Sequence, residues 1–351
     1  MGRIVRVISE DGSVVCSAID GTDIANTIER IHQPSAVVTA ALGRLAMGAS
    51  LIGYGLKSED DSLTVRIDGG GPAGRLVAVS DSRGNVKCCA DEYIIELPLK
   101  SNGKLDVGSA VGSSGTITVI KDLGLKEPYI GQTGLISGEI AEDITGYFAQ
   151  SEQIPTVCAL GVLVNPDLSV KRAGGYLIQL LPFAPESAID CLERSIATLP
   201  SVTTMLDMGM SPKDIAERAM EGLSPQPLDG CEVSYLCDCS RERTLKILKP
   251  KFEGRVHMTL SGYNSLDFLN IETNKGVALE NVMERFGVKR EETVAFGDNY
   301  NDIEMFEAAG ESYAMRNADE YVRGRAKNVI GTNDEDSVVK TIKSIMEREG
   351  L

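Results

Sequence analysis

The pattern of hydrophobic residues changes near residue 244. This change predicts that the chain folds into two parts with different architectures. Before it, apolar and polar residues alternate in short runs, most clearly at residues 62–68, which is typical of antiparallel strands. After it, strand and helix patterns alternate, with strands predicted at residues 255–260, 266–271 and 293–296 and helices from Lys275 and Asp302. The sequence therefore predicts an α+β fold with an antiparallel sheet and packed helices, followed by an α/β fold with a parallel sheet.

Local signals in the first part predict a hairpin, a short helix and a long core helix. The turn pair Asp11-Gly12 lies between two alternating runs, which indicates a hairpin. Residues 24–31 have helical spacing, and residues 36–56 are small and apolar with Arg44 in their middle. We interpret the latter as a helix packed in a protein core, because a charge there disfavours a membrane span. Further strands are predicted at residues 75–80, 86–90, 116–120, 157–164 and 175–181, and further helices at residues 140–148 and 189–199 and from Ser211.

Length and charge restrict the class of protein and its partners. At 351 residues the chain exceeds one ordinary domain of about 150 residues. Its formal net charge of -16 repels nucleic-acid phosphates and anionic lipid, so neither nucleic acid nor membrane is an expected partner. Charged residues interrupt the first apolar positions, which argues against a signal peptide. We expect a cytoplasmic protein.

A segment rich in proline and glycine, SPQPLDG at residues 224–230, predicts a linker between the two parts. It suggests three regions: a first domain at residues 1–223, a linker with a cysteine motif at residues 224–250, and a C-terminal fragment at residues 251–351.

Cysteine spacing is the next informative feature. The chain has 8 cysteines, at positions 16, 88, 89, 158, 191, 231, 237 and 239. In a reducing compartment most of them should be buried apolar residues. Cys237 and Cys239 differ, since two thiols one residue apart can hold a metal ion or form a small disulfide, and Arg241 and Arg243 should lower their pKa. Spacing alone leaves a coincidence open. Cys231, Cys88 and Cys89 are weaker candidates for the same chemistry.

The first part resembles the 33-kDa chaperonin family of redox-regulated, ATP-independent holdases over about residues 3–243. The resemblance rests on residues 34–55 (PSAVVTAALGRLAMGASLIGYG), 63–74 (LTVRIDGGGPAG), 137–155 (SGEIAEDITGYFAQSEQIP), 161–165, 173–181 (AGGYLIQLL) and 237–243 (CDCSRER). It implies a chaperone that binds unfolding client proteins as a homodimer.

The resemblance also implies a zinc switch, from which this chain departs. In the family, two cysteine pairs hold one Zn²⁺ as four thiolates, and oxidation releases the metal and unfolds a neighbouring linker. Cys237 and Cys239 match the first pair, but no cysteine follows Cys239. The only nearby imidazole, His257, is isolated and is interpreted as structural. The zinc site is therefore incomplete. Because no zinc module keeps the reduced protein inactive, we expect the chaperone to be partly active when reduced.

The second part, about residues 255–344, resembles the C-terminal part of a haloacid dehalogenase-superfamily hydrolase of the large-cap type. The motifs are Asn274-Lys275-Gly276, residues 297–302 (GDNYND) and residues 314–318 (AMRNA). The resemblance implies a partial Rossmann-like fragment in which Asp298 and Asp302 hold magnesium and Lys275 neutralises a phosphoryl group. The half that carries the aspartate nucleophile is absent from this sequence.

Three hypotheses follow. The first is a holdase that is not an enzyme. The second is a magnesium-dependent phosphatase that takes its missing half from elsewhere, which the absent nucleophile disfavours. The third is a fusion in which the chaperone body folds and the remainder is a passenger.

Overall fold

The structure, a computed structural model, describes residues 1–237, 241–260 and 266–350. Two compact units divide the chain, Met1–Cys237 and Asp238–Leu351. The strands of the first unit are β1 (Gly2–Ile8), β2 (Val14–Asp20), β3 (Ser62–Asp68), β4 (Arg75–Asp81), β5 (Val86–Ala90), β6 (Thr116–Asp122), β7 (Tyr129–Gly134), β8 (Thr156–Val164), β9 (Val170–Leu180) and β10 (Gln226–Val233). Its helices are α1 (Thr22–His32), α2 (Ala36–Gly53), α3 (Val107–Val111), α4 (Ala141–Tyr147), α5 (Glu186–Ala197), α6 (Val202–Asp207) and α7 (Pro212–Ala219).

Two antiparallel sheets form the first unit. One has the strand order β10-β1-β2-β9-β8 and the other the order β5-β4-β3-β6-β7. The predicted hairpin at Asp11-Gly12 is the β1–β2 pair, and the two strands predicted at residues 157–164 and 175–181 pair as β8 and β9. The prediction of an α+β fold with an antiparallel sheet and packed helices is confirmed.

Helix α2 occupies the core between the two sheets. It packs against β4 and β5 of one sheet and against β8 and β9 of the other. Its small residues allow this approach, since a Cβ added at Gly43 would lie 2.8 Å from Val162 on β8 and one at Gly53 would lie 2.4 Å from Ser80 on β4. By length and composition α2 could cross a membrane, but 89% of it is buried inside the unit. It is therefore a core helix, as the sequence predicts.

The prediction of a linker at residues 224–230 is wrong. Residues 226–233 form β10, which pairs antiparallel with β1 along its whole length. Proline lacks an amide hydrogen and is tolerated only on edge strands or at bulges. Pro227 satisfies both conditions, since β10 is an outer strand and the register shifts between Arg6 and Val7 opposite it. The domain boundaries drawn from the sequence stay predictions.

The second unit is a smaller α/β fragment. Its elements are α8 (Arg241–Phe252), β11 (His257–Leu260), β12 (Leu266–Leu269), α9 (Lys275–Phe286), β13 (Val294–Gly297), α10 (Ile303–Ala308), β14 (Glu311–Met315), α11 (Glu320–Arg323), β15 (Asn328–Ile330) and α12 (Ser337–Glu349). Strands β13, β14 and β15 form a parallel sheet in that order, and β11 and β12 form a separate antiparallel pair. The predicted partial Rossmann-like fragment is confirmed. The strands predicted at residues 255–260 and 266–271 were expected in its parallel sheet, but they pair antiparallel with each other as β11 and β12.

Candidate functional sites

The segment that leads to the cysteine motif lies on the outer edge of β5. After β10 the chain passes from one sheet to the other, where the Ser234 carbonyl accepts the Val86 amide at 3.0 Å and the Leu236 amide donates to the Val86 carbonyl at 3.0 Å. Val86 and Tyr235 form a parallel bridge between these segments. The redox candidate Cys237 follows directly and is exposed. Cys239 and the side chains of Arg241 and Arg243 lie outside the described residues.

Tyr235 anchors this segment through its hydroxyl group. The hydroxyl donates to the Cys88 carbonyl oxygen at 3.1 Å and lies 3.1 Å from Nε2 of His32. The His32 ring stacks on Tyr93 with a centroid separation of 4.9 Å. Burial raises the pKa of the Tyr235 hydroxyl and lowers the pKa of His32. A neutral hydroxyl and a neutral imidazole therefore hold the segment at ordinary pH.

Two further thiols lie beside Cys237. Cys88 faces the core with 7% exposure, whereas Cys89, the next residue on β5, is exposed. Burial is the main cause that raises the pKa of each, and Cys237 contributes to the rise at both. The sequence offered Cys88 and Cys89 only as weak candidates, because nothing local shows that β5 meets the chain before Cys237.

The other described cysteines are less accessible for redox chemistry or metal binding. Cys16 is buried, and burial raises its pKa. Burial also raises the pKa of the half-buried Cys158 to about 12. Cys231 is half-buried with its thiol 3.4 Å from the Arg83 carbonyl oxygen. The expectation that most cysteines are buried holds for Cys16 and Cys88 and is wrong for the other described cysteines, since Cys89 and Cys237 are exposed and Cys158, Cys191 and Cys231 are half-buried.

The described residues do not fit the expected zinc ion. Among residues 1–237, 241–260 and 266–350, no group of three or more His, Cys, Asp or Glu side chains could hold a metal. A closed zinc site needs four nitrogen or sulfur ligands. His257 lies 3.5 Å from the Glu304 carboxylate in the second unit, a contact consistent with its interpretation as structural.

In the second unit the predicted Lys275 and Asp302 lie together at the carboxyl end of β13. The Lys275 ammonium donates to Oδ1 of Asp302 at 2.5 Å. Oδ2 of Asp302 accepts the backbone amides of Asp298 at 2.9 Å and Asn299 at 3.0 Å. Asp302 is 4% exposed, and Gly297 allows its approach, because a Cβ there would lie 2.5 Å from the Asp302 side chain.

Asp298 has a hydrogen-bond partner that the sequence analysis did not identify. Its Oδ2 accepts a hydrogen bond of 2.8 Å from the side-chain amide of Asn333, which follows β15. The side chain of Asp298 is exposed. Asn333 was missed, although its place just after the last parallel strand is where ligand-binding residues of such sheets cluster.

The two carboxylates of this motif differ in how open they are to a magnesium ion. Mg²⁺ is usually held by one or two carboxylates and keeps several waters in a near-octahedral shell, and Asp298 is the exposed carboxylate of the pair. Asp302 is instead paired with Lys275 and bound to two amides. These contacts of Asp302 brace the loop after β13.

Comparison with known proteins identifies both parts. Residues 2–250 match the Hsp33 protein family. The chain belongs to the Hsp33 family. It is 48% identical over 240 residues to the 33 kDa chaperonin of Clostridioides difficile strain 630, a match that covers 68% of this chain and 82% of that protein. The 33 kDa chaperonin of Lachnoclostridium phytofermentans is 46% identical over 245 residues, or 70% of this chain and 84% of the relative.

Solved structures agree with the family. The crystal structure of the 33 kDa chaperonin from Thermotoga maritima has a TM-score of 0.66 and 32% identity, and it covers 82% of this chain and 99% of that one. Residues 238–342 match the haloacid dehalogenase-like hydrolases. The chain is therefore an Hsp33-family chaperone that carries a haloacid dehalogenase-like fragment, and both resemblances inferred from the sequence are confirmed.

Proposed function

We propose that this chaperone works as an ATP-independent holdase in the cytoplasm and that it binds unfolding clients without prior oxidation. The observation that carries the proposal is an exposed apolar surface on the β6–β7 hairpin of the first unit. A homodimer, as the family resemblance implies, belongs to the same proposal. Holdases bind the apolar side chains that unfolding proteins expose, so such a surface is what the function requires.

The β6–β7 hairpin exposes four apolar side chains, called the hairpin patch, of which Tyr129 lies on the opposite face of β7 from Ile130. They are Leu123 at 37% exposure, Leu125 at 69%, Tyr129 at 42% and Ile130 at 60%. Monomeric soluble proteins rarely group large apolar side chains in solvent without a partner. The patch therefore has the chemistry of a site for extended, apolar client segments.

Strand geometry explains why the patch faces solvent. Side chains alternate between the two faces of a strand. Gly131 faces inward, since a Cβ there would lie 2.7 Å from the Tyr147 hydroxyl on α4, so the neighbouring Ile130 faces outward. Strand β7 is also the outermost strand of its sheet, beside β6. Its outer edge offers backbone groups to an added strand.

The cysteine segment supports the claim of activity in the reduced state. A four-thiolate zinc module requires a second cysteine pair, and no cysteine follows Cys239 in this sequence. Metal binding and folding of such a module share one free energy. Without bound zinc, no folded zinc module would cover the client-binding surface. Clients should therefore reach that surface before any oxidant acts.

The test is a double substitution in the hairpin patch. We expect Leu125→Ser with Ile130→Ser to weaken suppression of client aggregation about tenfold, because a fully buried Leu or Ile side chain contributes about 1.5–3 kcal/mol. The measurement is light scattering by a thermally unfolding client at several chaperone concentrations. The matched control is Val282→Ser with Phe286→Ser in α9, which removes apolar side chains of 51% and 71% exposure from the second unit. Equal losses in both variants would contradict the assignment.

For the second unit we infer a scaffold role and no phosphatase activity. The brace between Lys275 and Asp302 occupies the groups that would otherwise bind metal and phosphate, and this sequence lacks the aspartate loop of the nucleophile. Without a nucleophile the transfer has no covalent intermediate.

A further inference from the structure

We propose that a peroxide oxidant joins Cys237 to Cys89 in a disulfide that fastens the end of the first unit to the edge of strand β5. The inference rests on the proposed function in one respect, since it takes Cys237 as the redox-active residue of this chaperone. It assigns to Cys237 a partner that lies outside the cysteine motif.

Backbone pairing brings the two segments together. The Val86–Tyr235 bridge and the hydrogen bonds of Ser234 and Leu236 to Val86 hold the segment before Cys237 against β5. In a parallel pair, equal steps along both chains keep residues side by side. Cys237, two residues beyond Tyr235, therefore lies at the level of Cys88, one residue before Cys89 on β5.

The Tyr235 hydroxyl keeps Cys237 free of the strand. It takes the backbone hydrogen bonds of Cys88, accepting from the amide at 3.5 Å and donating to the carbonyl at 3.1 Å. The edge of β5 is thus already occupied at Cys88, and Cys237 is exposed. The Cys237 side chain is close enough to both β5 thiols to add to the rise in their pKa that burial causes.

The difference in exposure between the two β5 thiols favours Cys89 over Cys88 as the disulfide partner of Cys237. Adjacent residues of a strand point to opposite faces, and here Cys88 packs in the main core while Cys89 faces solvent. Burial and Asp91 raise the pKa of Cys89, and the guanidinium of Arg75 acts in the opposite direction. A thiol that meets solvent and a guanidinium group is the one that an oxidant and a second thiol can reach.

The chemistry needs one two-electron oxidant, a peroxide. The thiolate of one cysteine attacks a peroxide oxygen, so that a sulfur–oxygen bond forms, the oxygen–oxygen bond breaks and the departing hydroxide takes a proton to become water. The second thiolate attacks the sulfenic sulfur, a sulfur–sulfur bond forms and the second oxygen leaves as water. In sum, two thiols and hydrogen peroxide give one disulfide and two waters.

The bond would close a link between distant parts of the first unit. Such a cross-link stabilises the docked state mainly by restricting the undocked one. Oxidation would therefore fasten the segment at Ser234 to Leu236, whereas the family's zinc switch uses oxidation to release a neighbouring region.

Peptide mapping of the full-length protein tests the proposal. After treatment with hydrogen peroxide, alkylation and non-reducing tryptic digestion, we expect residues 88–100 to be linked to residues 219–241, the tryptic peptides that contain Cys89 and Cys237. The substitutions Cys89→Ser and Cys237→Ser should each lower the linked peptide about tenfold or more, as expected when one thiol of the pair is lost. The controls Cys88→Ser and Cys231→Ser should retain it.

Two results would overturn the assignment. One is a linked peptide that persists in Cys89→Ser and disappears in Cys88→Ser. The other is oxidation that stays within residues 219–241 in the unsubstituted protein. Neither result affects the proposed function, which is measured on the fully reduced protein by client aggregation. Conversely, a reduced protein that fails to protect clients while the link forms would reject the function and leave the disulfide standing.

Discussion

Replacing Asp143 with alanine is expected to lower the free energy of unfolding of the first unit by about 3–5 kcal/mol. Asp143 is fully buried at the start of α4. Its Oδ1 accepts the amides of Ile136 at 2.7 Å, Ser137 at 3.0 Å and Gly138 at 3.3 Å, and its Oδ2 accepts the Ile140 amide at 2.8 Å. Alanine would leave all four amides without this acceptor, and those of Gly138 and Ile140 are buried.

The contact matters for function because of where it lies. The segment held by Asp143 connects β7, which carries part of the hairpin patch, to α4. Gly138 and Ile140 have positive φ angles of 75° and 72°, a strained conformation for isoleucine that persists only when its surroundings impose it. Loss of the carboxylate should therefore release both the loop and the position of β7.

Hydrogen exchange measured by mass spectrometry on peptides of β6, β7 and α4 gives the local stability. The matched control is Glu142→Ala, an exposed acid one residue earlier on the same helix, for which we expect a change within about 0.5 kcal/mol. Asp143→Asn keeps one acceptor oxygen and should fall between the two. If Asp143→Ala exchanged as slowly as Glu142→Ala, the carboxylate would not be what holds this loop.

In the second unit, Asp302→Ala is expected to cost about 2–4 kcal/mol of local stability. The substitution removes the ion pair with Lys275 and leaves the amides of Asp298 and Asn299 without an acceptor. We therefore expect faster hydrogen exchange in peptides of α9 and β13, and unchanged exchange in the first unit.

A second acid of the same motif provides the control. Asp298→Ala removes an exposed carboxylate that accepts one side-chain hydrogen bond, from Asn333, so a loss below about 1 kcal/mol is expected. Addition of Mg²⁺ should leave exchange in the unsubstituted protein unchanged, because a ligand stabilises only the state that binds it. Strong protection by Mg²⁺ would instead show that the motif is a metal site.

Much of the fold can be predicted from local sequence patterns. The alternation at residues 62–68 and the small residues of α2 specify a strand and a core helix without reference to distant parts. At the start of α7, Ser211 and Asp214 exchange hydrogen bonds as a capping box, with Pro212 at the first helical position. Such signals depend on neighbours within a few residues, which is why they can be recognised from the sequence.

The errors and omissions all involve contacts between distant residues. Pro227 was assigned to a linker because its local context is that of a turn, and only the pairing with β1 shows that it lies at a strand bulge. Asn333 meets Asp298 only because β13 and β15 belong to one sheet. In the same way, the thiols of β5 come near Cys237 only because the chain after β10 crosses to the edge of β5. Periodicity carries no information about such pairings.

We expect this Hsp33-family chaperone to capture clients while its thiols are reduced. The most direct measurement is aggregation of a thermally unfolding client in the presence of the full-length protein, without ATP, in excess dithiothreitol and again after peroxide treatment. We predict clear protection by the reduced protein, within about threefold of the oxidised protein, which corresponds to less than 1 kcal/mol in client binding. Protection that appears only after peroxide treatment would contradict the claim.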